Sequence, residues 1–206
     1  MADIKSLSEF KKAMQGGGAR PNLFEVRLDS TPPADPQFGT TWDSEAKSDF
    51  TFLCKSAQLP ASNMGSIDVP FRGRTFKVAG DRTFDTWSVT ILNDTNFVIR
   101  KVMEGWMQAI GQYSDHSGLE NPVDYMKNAK VLQLGRGKVN KESGTGSGGG
   151  ATVHAVYQFI DIFPTNISAI DLSFDSTDQI EEFTVDFQVQ FWYPDSAGNI
   201  GKVTGT

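Results

Sequence analysis

The sequence has very few of the residues on which disulfides and metal sites depend. One cysteine, Cys54, and two histidines, His116 and His154, occur among its 206 residues. A single cysteine excludes a disulfide within the chain and favours a reduced thiol packed as a small hydrophobe. The histidines stand far apart, with no cysteine or acidic cluster at ligand spacing, so we expect no metal site and no cofactor.

Long apolar runs and an excess of basic charge are also missing. No apolar run approaches the ~20 residues of a membrane-spanning helix, and the N-terminal segment lacks the apolar core of a signal peptide. We therefore expect a soluble protein made in the cytoplasm, without a membrane anchor. Lys and Arg number 19 against 25 Asp and Glu, a net charge of −6. This argues against a surface that grips nucleic acid, because that affinity comes mainly from basic residues on phosphates.

Catalytic motifs are weak. Residues 144–149, GTGSGG, satisfy the G-x-G-x-x-G pattern. A dinucleotide site needs a helix after these glycines, whereas a strand pattern follows here. Glu182 and Asp186 lie on one face of a predicted strand, ~13 Å apart, which exceeds the ~5–9.5 Å that carboxylate pairs use in glycoside hydrolysis. We predict no catalytic residue and no enzyme activity.

Hydrophobic periodicity predicts a mainly β protein with one substantial helix. The predicted strands fall at residues 22–28, 50–60, 66–94 (two or three strands), 129–135, 151–163, 167–174 and 180–193. In residues 96–111 the period changes to that of a helix. The predicted buried side of this helix carries Ile99, Val102, Met103, Trp106 and Ile110. A short helix is also predicted near the N-terminus, where Leu7, Phe10 and Met14 form a loose apolar stripe.

The expected fold is a single domain, residues 1–206, built as a β-sandwich or small barrel with one flanking α-helix. Two stretches without periodicity, 30–49 and 135–150, are expected to be exposed loop insertions. The Gly-rich tail, 194–206, is expected to be mobile.

The stretch QIEEFTVDFQVQFWYPD, residues 179–195, predicts a strand with two contrasting faces. One face is almost entirely apolar and requires a core. The other face is acidic or amide without a base, and it consists of Glu182, Thr184, Asp186, Gln188 and Gln190. A second small polar face consists of Thr86, Ser88 and Thr90.

Four segments of the sequence resemble one known family. They are ARPNLFEV (19–26), CKSAQLP (54–60), VPFRGRTFKVAGDRTFDTWSVTILND (69–94), and residues 161–192, which begin DIFPTN. The resemblance runs from about residue 19 to 192 and is most specific at AGDRTFDTW. The family that the sequence resembles is the tail tube protein of contractile-tailed, myovirus-type bacteriophages, which is structurally related to the type VI secretion tube protein.

The resemblance implies a subunit that forms hexameric rings, whose strands merge into one continuous β-barrel and which stack into a hollow tube. It implies a tail sheath outside the tube, and a tape-measure protein and then double-stranded DNA in the lumen without specific binding. Baseplate and tail-terminator proteins would meet the ends. The location implied is the virion tail, after assembly in the host cytoplasm, and no catalytic residue or cofactor belongs to this role.

Within such a tube, the Glu182–Gln190 face is predicted to line the lumen, with Thr86, Ser88 and Thr90 as a second candidate. A carboxylate ~10 Å from a phosphate repels it by only about 0.4 kcal/mol in water. Basic residues would instead retain DNA in transit. The alternative is that this polar face is ordinary outer surface or is covered by the helix.

Contacts between rings are predicted in residues 1–20 and in the two loops, 30–49 and 135–150. The candidate contact residues are Phe10, Asp35, Phe38, Trp42 and Lys138. Deletion of residues 31–48 is predicted to leave rings but to weaken tubes.

Two other functions remain open at this point. A tube-initiating baseplate protein or a tail-capping protein could have the same fold. A soluble β-sandwich enzyme or carbohydrate-binding module is a more distant alternative, in which Trp42 and Trp192 would stack on a sugar.

Overall fold

The computed structural model describes residues 7–14, 18–33, 42–115, 117–138 and 151–195. The helices in these ranges are α1 (Leu7–Ala13), α2 (Ser44–Leu53), α3 (Val98–Ile110) and α4 (Pro122–Tyr125). The strands are β1 (Phe24–Leu28), β2 (Cys54–Ala57), β3 (Ser62–Phe71), β4 (Arg74–Phe84), β5 (Trp87–Leu92), β6 (Lys127–Lys138), β7 (Ala151–Ile167), β8 (Glu182–Gln188) and β9 (Phe191–Asp195).

Seven strands share one sheet, in the order β1-β6-β7-β8-β5-β2, with β9 paired to β7. Strands β3 and β4 form a separate two-stranded hairpin. The pairs β2–β5, β5–β8 and β7–β8 are antiparallel. The predicted mainly β class is therefore confirmed. The small closed barrel is not formed by the described part of one chain, because its strand order is an open path that ends at β1 and β2.

Two compact units divide the chain, and each draws on separate stretches of sequence. The first comprises Met1–Glu25, Val131–Tyr157 and Pro194–Thr206, and the second Val26–Lys130 and Gln158–Tyr193. Within the first unit, the backbone N–H of Leu134 donates to the carbonyl oxygen of Leu23 at 2.8 Å. The side-chain amide of Gln133 donates to the carbonyl oxygens of Arg20 and Leu23, at 2.6 and 2.8 Å. These bonds tie the chain before β1 to β6.

The core of the second unit is built by alternation along β5 and β8. Every second residue of both strands is fully buried, and the opposed pairs are Trp87 with Phe187, Val89 with Val185, and Ile91 with Phe183. Trp87 also stacks on Phe159, with ring centroids 4.5 Å apart. The period of two read from the sequence therefore identified the buried face of these strands correctly.

Helix α3 closes this core with the predicted side. Ile99, Val102, Met103 and Trp106 are buried, and the Trp106 ring lies 5.9 Å from that of Phe187. The backbone N–H of Val98 donates to Oδ1 of Asp94 at 3.0 Å. This carboxylate satisfies one of the donors that a helix start leaves free. The helix begins at Val98, two residues after the predicted start.

Helix α2 corrects the prediction for residues 30–60. The sequence indicated a loop up to residue 49 and a strand from residue 50, but residues 44–53 are helical and the strand is confined to Cys54–Ala57. Oδ1 of Asp43 caps the helix by accepting the N–H of Ala46 at 2.9 Å. Ala46 and Phe50, four residues apart, are buried on one side. Burial at helical spacing outweighed the strand-like pattern of the aromatic residues.

The C-terminal strands also differ from the prediction. The strand expected at 167–174 is absent, since β7 ends at Ile167 and residues 168–181 form no strand. The long strand expected at 180–193 is interrupted between β8 and β9. Leu172 and Phe174 alternate as strand residues would, but they are 80% and 106% exposed. Both side chains face solvent, so the alternation of this segment did not identify a buried strand face.

Two predicted segments lie partly outside the described residues. Of the loop expected at 135–150, residues 135–138 belong to β6 and residues 139–150 are not described. Of the tail expected at 194–206, Pro194 and Asp195 belong to β9 and the remainder is not described.

Candidate assembly surfaces

The two polar faces predicted from the sequence form a single surface. Ser88 on β5 lies opposite Asp186 on β8, and Thr90 lies opposite Thr184. Directly opposed residues of an antiparallel pair share one side of the sheet. We call this surface the polar sheet face, and it comprises Ser88, Thr90, Glu182, Thr184, Asp186 and Gln188. Thr86 and Gln190 lie just beyond the strand ends and are exposed.

Hydrogen bonds hold the polar sheet face in place around Asp186. The Ser88 hydroxyl donates to Oδ1 of Asp186 at 2.5 Å. The Asn166 amide, from β7, donates to Oδ2 at 3.0 Å. The hydroxyls of Thr90 and Thr184 are 3.1 Å apart and form a hydrogen bond. These side chains are thus satisfied within the sheet, and their orientation is fixed before any partner binds.

A basic residue borders the polar sheet face, which corrects the prediction made from the β8 strand alone. Lys55 on β2 forms an ion pair with Glu182. Both side chains are about half exposed, at 54% and 45%, so the pair contributes little to stability. Its effect is on the charge of the surface. The charge of Glu182 is balanced by Lys55. Asp186 keeps its negative charge, because its hydrogen-bond donors are neutral.

Helix α3 lies on the opposite side of the sheet from the polar sheet face. Its Trp106 packs on Phe187, and its Arg100 lies 5.4 Å from the ring centroid of Phe183. Both phenylalanines point to the apolar side of β8. The polar sheet face is therefore not covered by this helix.

The β3–β4 hairpin has one apolar face and one polar face, and both are exposed. The large apolar side chains are 42–65% exposed and lie on one side; they are Ile67, Val69, Phe71, Phe76 and Val78, which we call the hairpin apolar face. On the other side, Lys77 and Asp68 form an ion pair at 3.2 Å. Exposed apolar surface of this kind marks a site of interaction.

Residues 168–181, between β7 and β8, form a second exposed surface, which we call the acidic segment. Leu172, Phe174 and Ile180 are 70–106% exposed in this segment. Its acidic residues are Asp171, Asp175, Asp178 and Glu181, and it contains no Lys or Arg. The segment therefore combines exposed apolar side chains with a uniform negative charge.

The candidate residues for contacts between rings differ in their exposure to solvent. Phe10 on α1 is 61% exposed and available for contact. Trp42 is only 8% exposed, and its ring lies 5.7 Å from that of Phe50. This burial argues against Trp42 as a contact between rings or a sugar-stacking residue. Lys138 is the last residue of β6. Asp35 and Phe38 lie outside the described residues.

Deletion of residues 31–48 also has a different expected result. Trp42 and Ala46 are core residues of the second unit. Removing them leaves a cavity beside Phe50, and such cavities destabilise a fold by about 2–5 kcal/mol. The deletion is therefore expected to weaken the subunit itself, and it does not isolate a contact between rings.

No metal centre or reactive thiol is found in the part of the chain that the structure describes. No group of three or more His, Cys, Asp and Glu residues lies close enough there to hold a metal ion. Burial raises the pKa of the Cys54 thiol to about 12, so the nucleophilic thiolate is scarce at neutral pH. Among the helices described, none is long and apolar enough to cross a membrane.

The hairpin apolar face is the surface that the sequence reasoning missed. Its signal is present in SIDVPFRGRTFKV, where apolar residues alternate on both sides of Arg72-Gly73. Alternation is usually read as a buried face, and nothing local shows that the hairpin stands apart from the main sheet.

Comparisons with solved structures define the class of fold. The chain is similar to a chain in the sheath–tube complex of the PVC extracellular contractile injection system in its extended state (TM-score 0.56, 12% identity, 93% of this chain and 99% of the other). It is also similar to the tube-terminating cap of the anti-feeding prophage (TM-score 0.55, 16% identity, 87% and 92%). The fold is thus one found in contractile injection systems.

Sequence comparisons define the family. The model of the phage tail tube protein family matches residues 19–194. Tail tube protein gp19 of Enterobacteria phage T4 is 32% identical over 188 residues, which cover 90% of this chain and 98% of the relative. The tail tube protein of Serratia phage KSP90 is 25% identical, covering 90% and 94%. The chain belongs to the phage tail tube protein family, and the resemblance read from the sequence is confirmed.

Proposed function

We propose that this protein is the subunit of the inner tail tube of a contractile phage tail, where hexameric rings stack into a hollow conduit for the genome. The hairpin apolar face carries the proposal, because large apolar side chains at 42–65% exposure mark a surface that assembly covers. Membership of the tail tube family indicates that the covering partner is another copy of the chain.

The open ends of the main sheet support ring formation. In the part of the chain that the structure describes, the sheet ends at β1 and β2, and unpaired strand edges are templates for pairing with another chain. When copies pair head to tail around a ring, every edge finds a partner and the sheets merge into one barrel. A barrel with that many strands leaves an open channel.

In this arrangement the polar sheet face lines the lumen. Helix α3 packs on the other side of β8, which leaves the polar side available for the bore. The Lys55–Glu182 ion pair cancels two charges, and Asp186 adds a weak negative field. DNA passing through this lumen meets hydroxyls, amides and diffuse repulsion, without the array of basic residues that would retain phosphates.

The proposal also assigns partners and a place. The tail sheath surrounds the tube, and a tape-measure protein and then double-stranded DNA occupy its lumen. Baseplate and terminator proteins meet its ends. The protein then belongs to the virion tail after assembly in the host cytoplasm, and it acts without a catalytic residue or cofactor. The similarity to a chain of a sheath–tube complex supports this assignment at the level of the fold.

Negative-stain electron microscopy of the purified protein tests this function. The protein is imaged over a concentration series, alone and with a baseplate extract that can nucleate assembly. We expect rings or hollow tubes of uniform bore in at least one of the two series. A monomer at every concentration in both series would contradict the proposal.

A further inference from the structure

We propose that the tip of the β3–β4 hairpin docks into a groove beside the acidic segment of a neighbouring copy of the chain. This inference rests on the proposed function, because it takes another copy as the partner of the hairpin. The inference adds which surface of the neighbouring copy receives the hairpin tip, and which charged residues align the tip with that surface.

The hairpin tip is a compact, preorganised shape. Phe71 pairs with Arg74 across a two-residue turn formed by Arg72 and Gly73, which have φ angles of 45° and 82°. Positive φ at both positions is the signature of the type I′ turn, whose twist matches that of the strands. The Arg72 guanidinium lies 5.6 Å from the centroid of the Phe71 ring. The tip therefore presents an aromatic ring flanked by two arginines.

The groove lies between the acidic segment and the neighbouring ends of β2 and β5, and its volume is about 710 Å³. Its lining includes the apolar side chains of Leu92, Leu172 and Ile180 and the carboxylates of Asp171 and Asp178. Sites that hold small molecules have volumes of about 300–1,000 Å³. The groove is therefore large enough for an aromatic ring and a guanidinium.

The charges of the two surfaces are complementary. The acidic segment contains four acidic and no basic residues, and Lys55, which also lines the groove, is paired with Glu182. The tip carries Arg72 and Arg74, while Lys77, further along the hairpin, is already paired with Asp68. Arginine binds carboxylates through paired hydrogen bonds of fixed geometry. Opposite fields on the two surfaces also favour this docking over contact between two copies of the same surface.

The groove is open to a second copy because the hairpin of the same chain does not fill it. Phe71 is 65% exposed and Leu172 is 80% exposed, so each still faces solvent in the single chain. Two different surfaces that fit each other make a head-to-tail contact, which repeats from copy to copy. Such a contact propagates into rings or stacks, as a tube requires.

Charge reversal tests the pairing. Arg72→Glu with Arg74→Glu, and separately Asp171→Arg with Asp178→Arg, are each expected to raise the critical concentration for tube assembly at least about tenfold, because each loses charge-assisted contacts. Combining all four substitutions is expected to bring it back to within about threefold of the unmodified value, because the charges match again. Lys47→Glu with Lys101→Glu is the control, since both lysines are exposed and the change in net charge equals that of the arginine pair.

Crosslinking supplies an independent readout. In a Cys54→Ala background, Phe71→Cys combined with Leu172→Cys is treated with a short bis-maleimide, and the products are separated on a denaturing gel. We expect a ladder of multimers, because a head-to-tail contact links each copy to the next. Either cysteine alone is the control and is expected to give no ladder beyond a trace of dimer.

The outcomes separate this inference from the proposed function. If the reversed variants form tubes at the unmodified concentration and the two-cysteine protein gives no ladder from tubes, the docking proposal is overturned and the tube function stands. Loss of another tail protein from otherwise normal tubes would assign the groove to that protein and overturn the proposal equally. If the unmodified protein forms no tubes or rings with a baseplate extract, the proposed function fails.

Discussion

Gly118 lies against the last turn of α3, where the backbone leaves no space for a side chain. A Cβ at this position would lie 2.1 Å from the carbonyl oxygen of Ile110 and 3.1 Å from that of Ala109. Both contacts are with backbone atoms, which cannot rotate away as a side chain would. The neighbouring backbone is also bonded, since the N–H of Leu119 donates to the carbonyl oxygen of Ala109 at 3.0 Å. This glycine therefore fixes how the chain leaves the helix.

We expect Gly118→Ala to destabilise the subunit by about 2 kcal/mol or more, as overpacking of a tight site does. For a chain of this length, the midpoint of thermal unfolding would fall by about 4–8 °C. Gly111→Ala is the matched control, because nothing lies within 4 Å of a Cβ there and the expected change is below about 1 kcal/mol. Equal melting temperatures for the two variants would contradict the contact.

Cys54 has a distinct pH behaviour. Burial raises the pKa of its thiol from an ordinary 9.0 to about 12. A folded pKa above the unfolded one means that the folded state holds the proton more tightly. This contribution to stability is complete below about pH 9 and is lost as the pH rises from there.

We expect iodoacetamide to alkylate Cys54 at pH 8.5 at least about tenfold more slowly in the folded protein than in protein unfolded in urea, because the thiolate is the reacting form. The rate of mass increase measures this directly. Glutathione under the same two conditions controls for the effect of urea on the reagent. Alkylation at the same rate in both states would show that the thiol is not buried as described.

At the level of the elements, the hairpin apolar face is the feature most easily tested. Phe76 and Thr75 are neighbours on β4 that point to opposite sides, Phe76 to the apolar face and Thr75 to the polar one. Both are exposed in the single chain. A charge at either position is therefore expected to change subunit stability by less than about 0.5 kcal/mol.

We expect Phe76→Asp to raise the critical concentration for assembly at least tenfold, because burying a carboxylate in an apolar contact is costly. Thr75→Asp, the control, is expected to assemble near the unmodified concentration. Pelleting by ultracentrifugation followed by electron microscopy measures both. Assembly of Phe76→Asp at the unmodified concentration would rule out this face as a contact between copies.

The elements also show where sequence reasoning succeeds. The alternation of Phe183, Val185 and Phe187 identified the buried side of β8, and the stripe that includes Met103 and Trp106 identified the buried side of α3. In both cases the side that the periodicity marks as apolar is the side that packs in the core, so the local sequence pattern is sufficient to identify the buried side.

Where the prediction failed, the deciding contact was distant in sequence or absent. Helix α2 depends on a cap at Asp43 and on burial of Ala46 and Phe50, which a strand-like run of aromatic residues concealed. The polar sheet face required the register of Ser88 against Asp186, residues almost a hundred positions apart. Lys55, from yet another strand, joins it through Glu182. No local pattern specifies which strands become neighbours.

The exposed surfaces of the whole molecule are typical of a subunit that forms part of a larger assembly. Among the residues that the structure describes, the sheet is open at both ends, the hairpin apolar face is exposed, and the acidic segment carries apolar side chains that face solvent. In an isolated subunit, open strand edges and exposed apolar side chains favour aggregation. In a ring or a stack of rings, each becomes a contact.

A cryo-electron microscopy reconstruction of assembled tubes tests the central claim most directly. We predict hexameric rings in which strands of neighbouring subunits form one continuous barrel. Ser88, Thr184 and Asp186 are expected to line the bore, with α3 outside it. A reconstruction that places Asp186 on the outer wall, or beneath a neighbouring subunit away from the channel, would contradict the account.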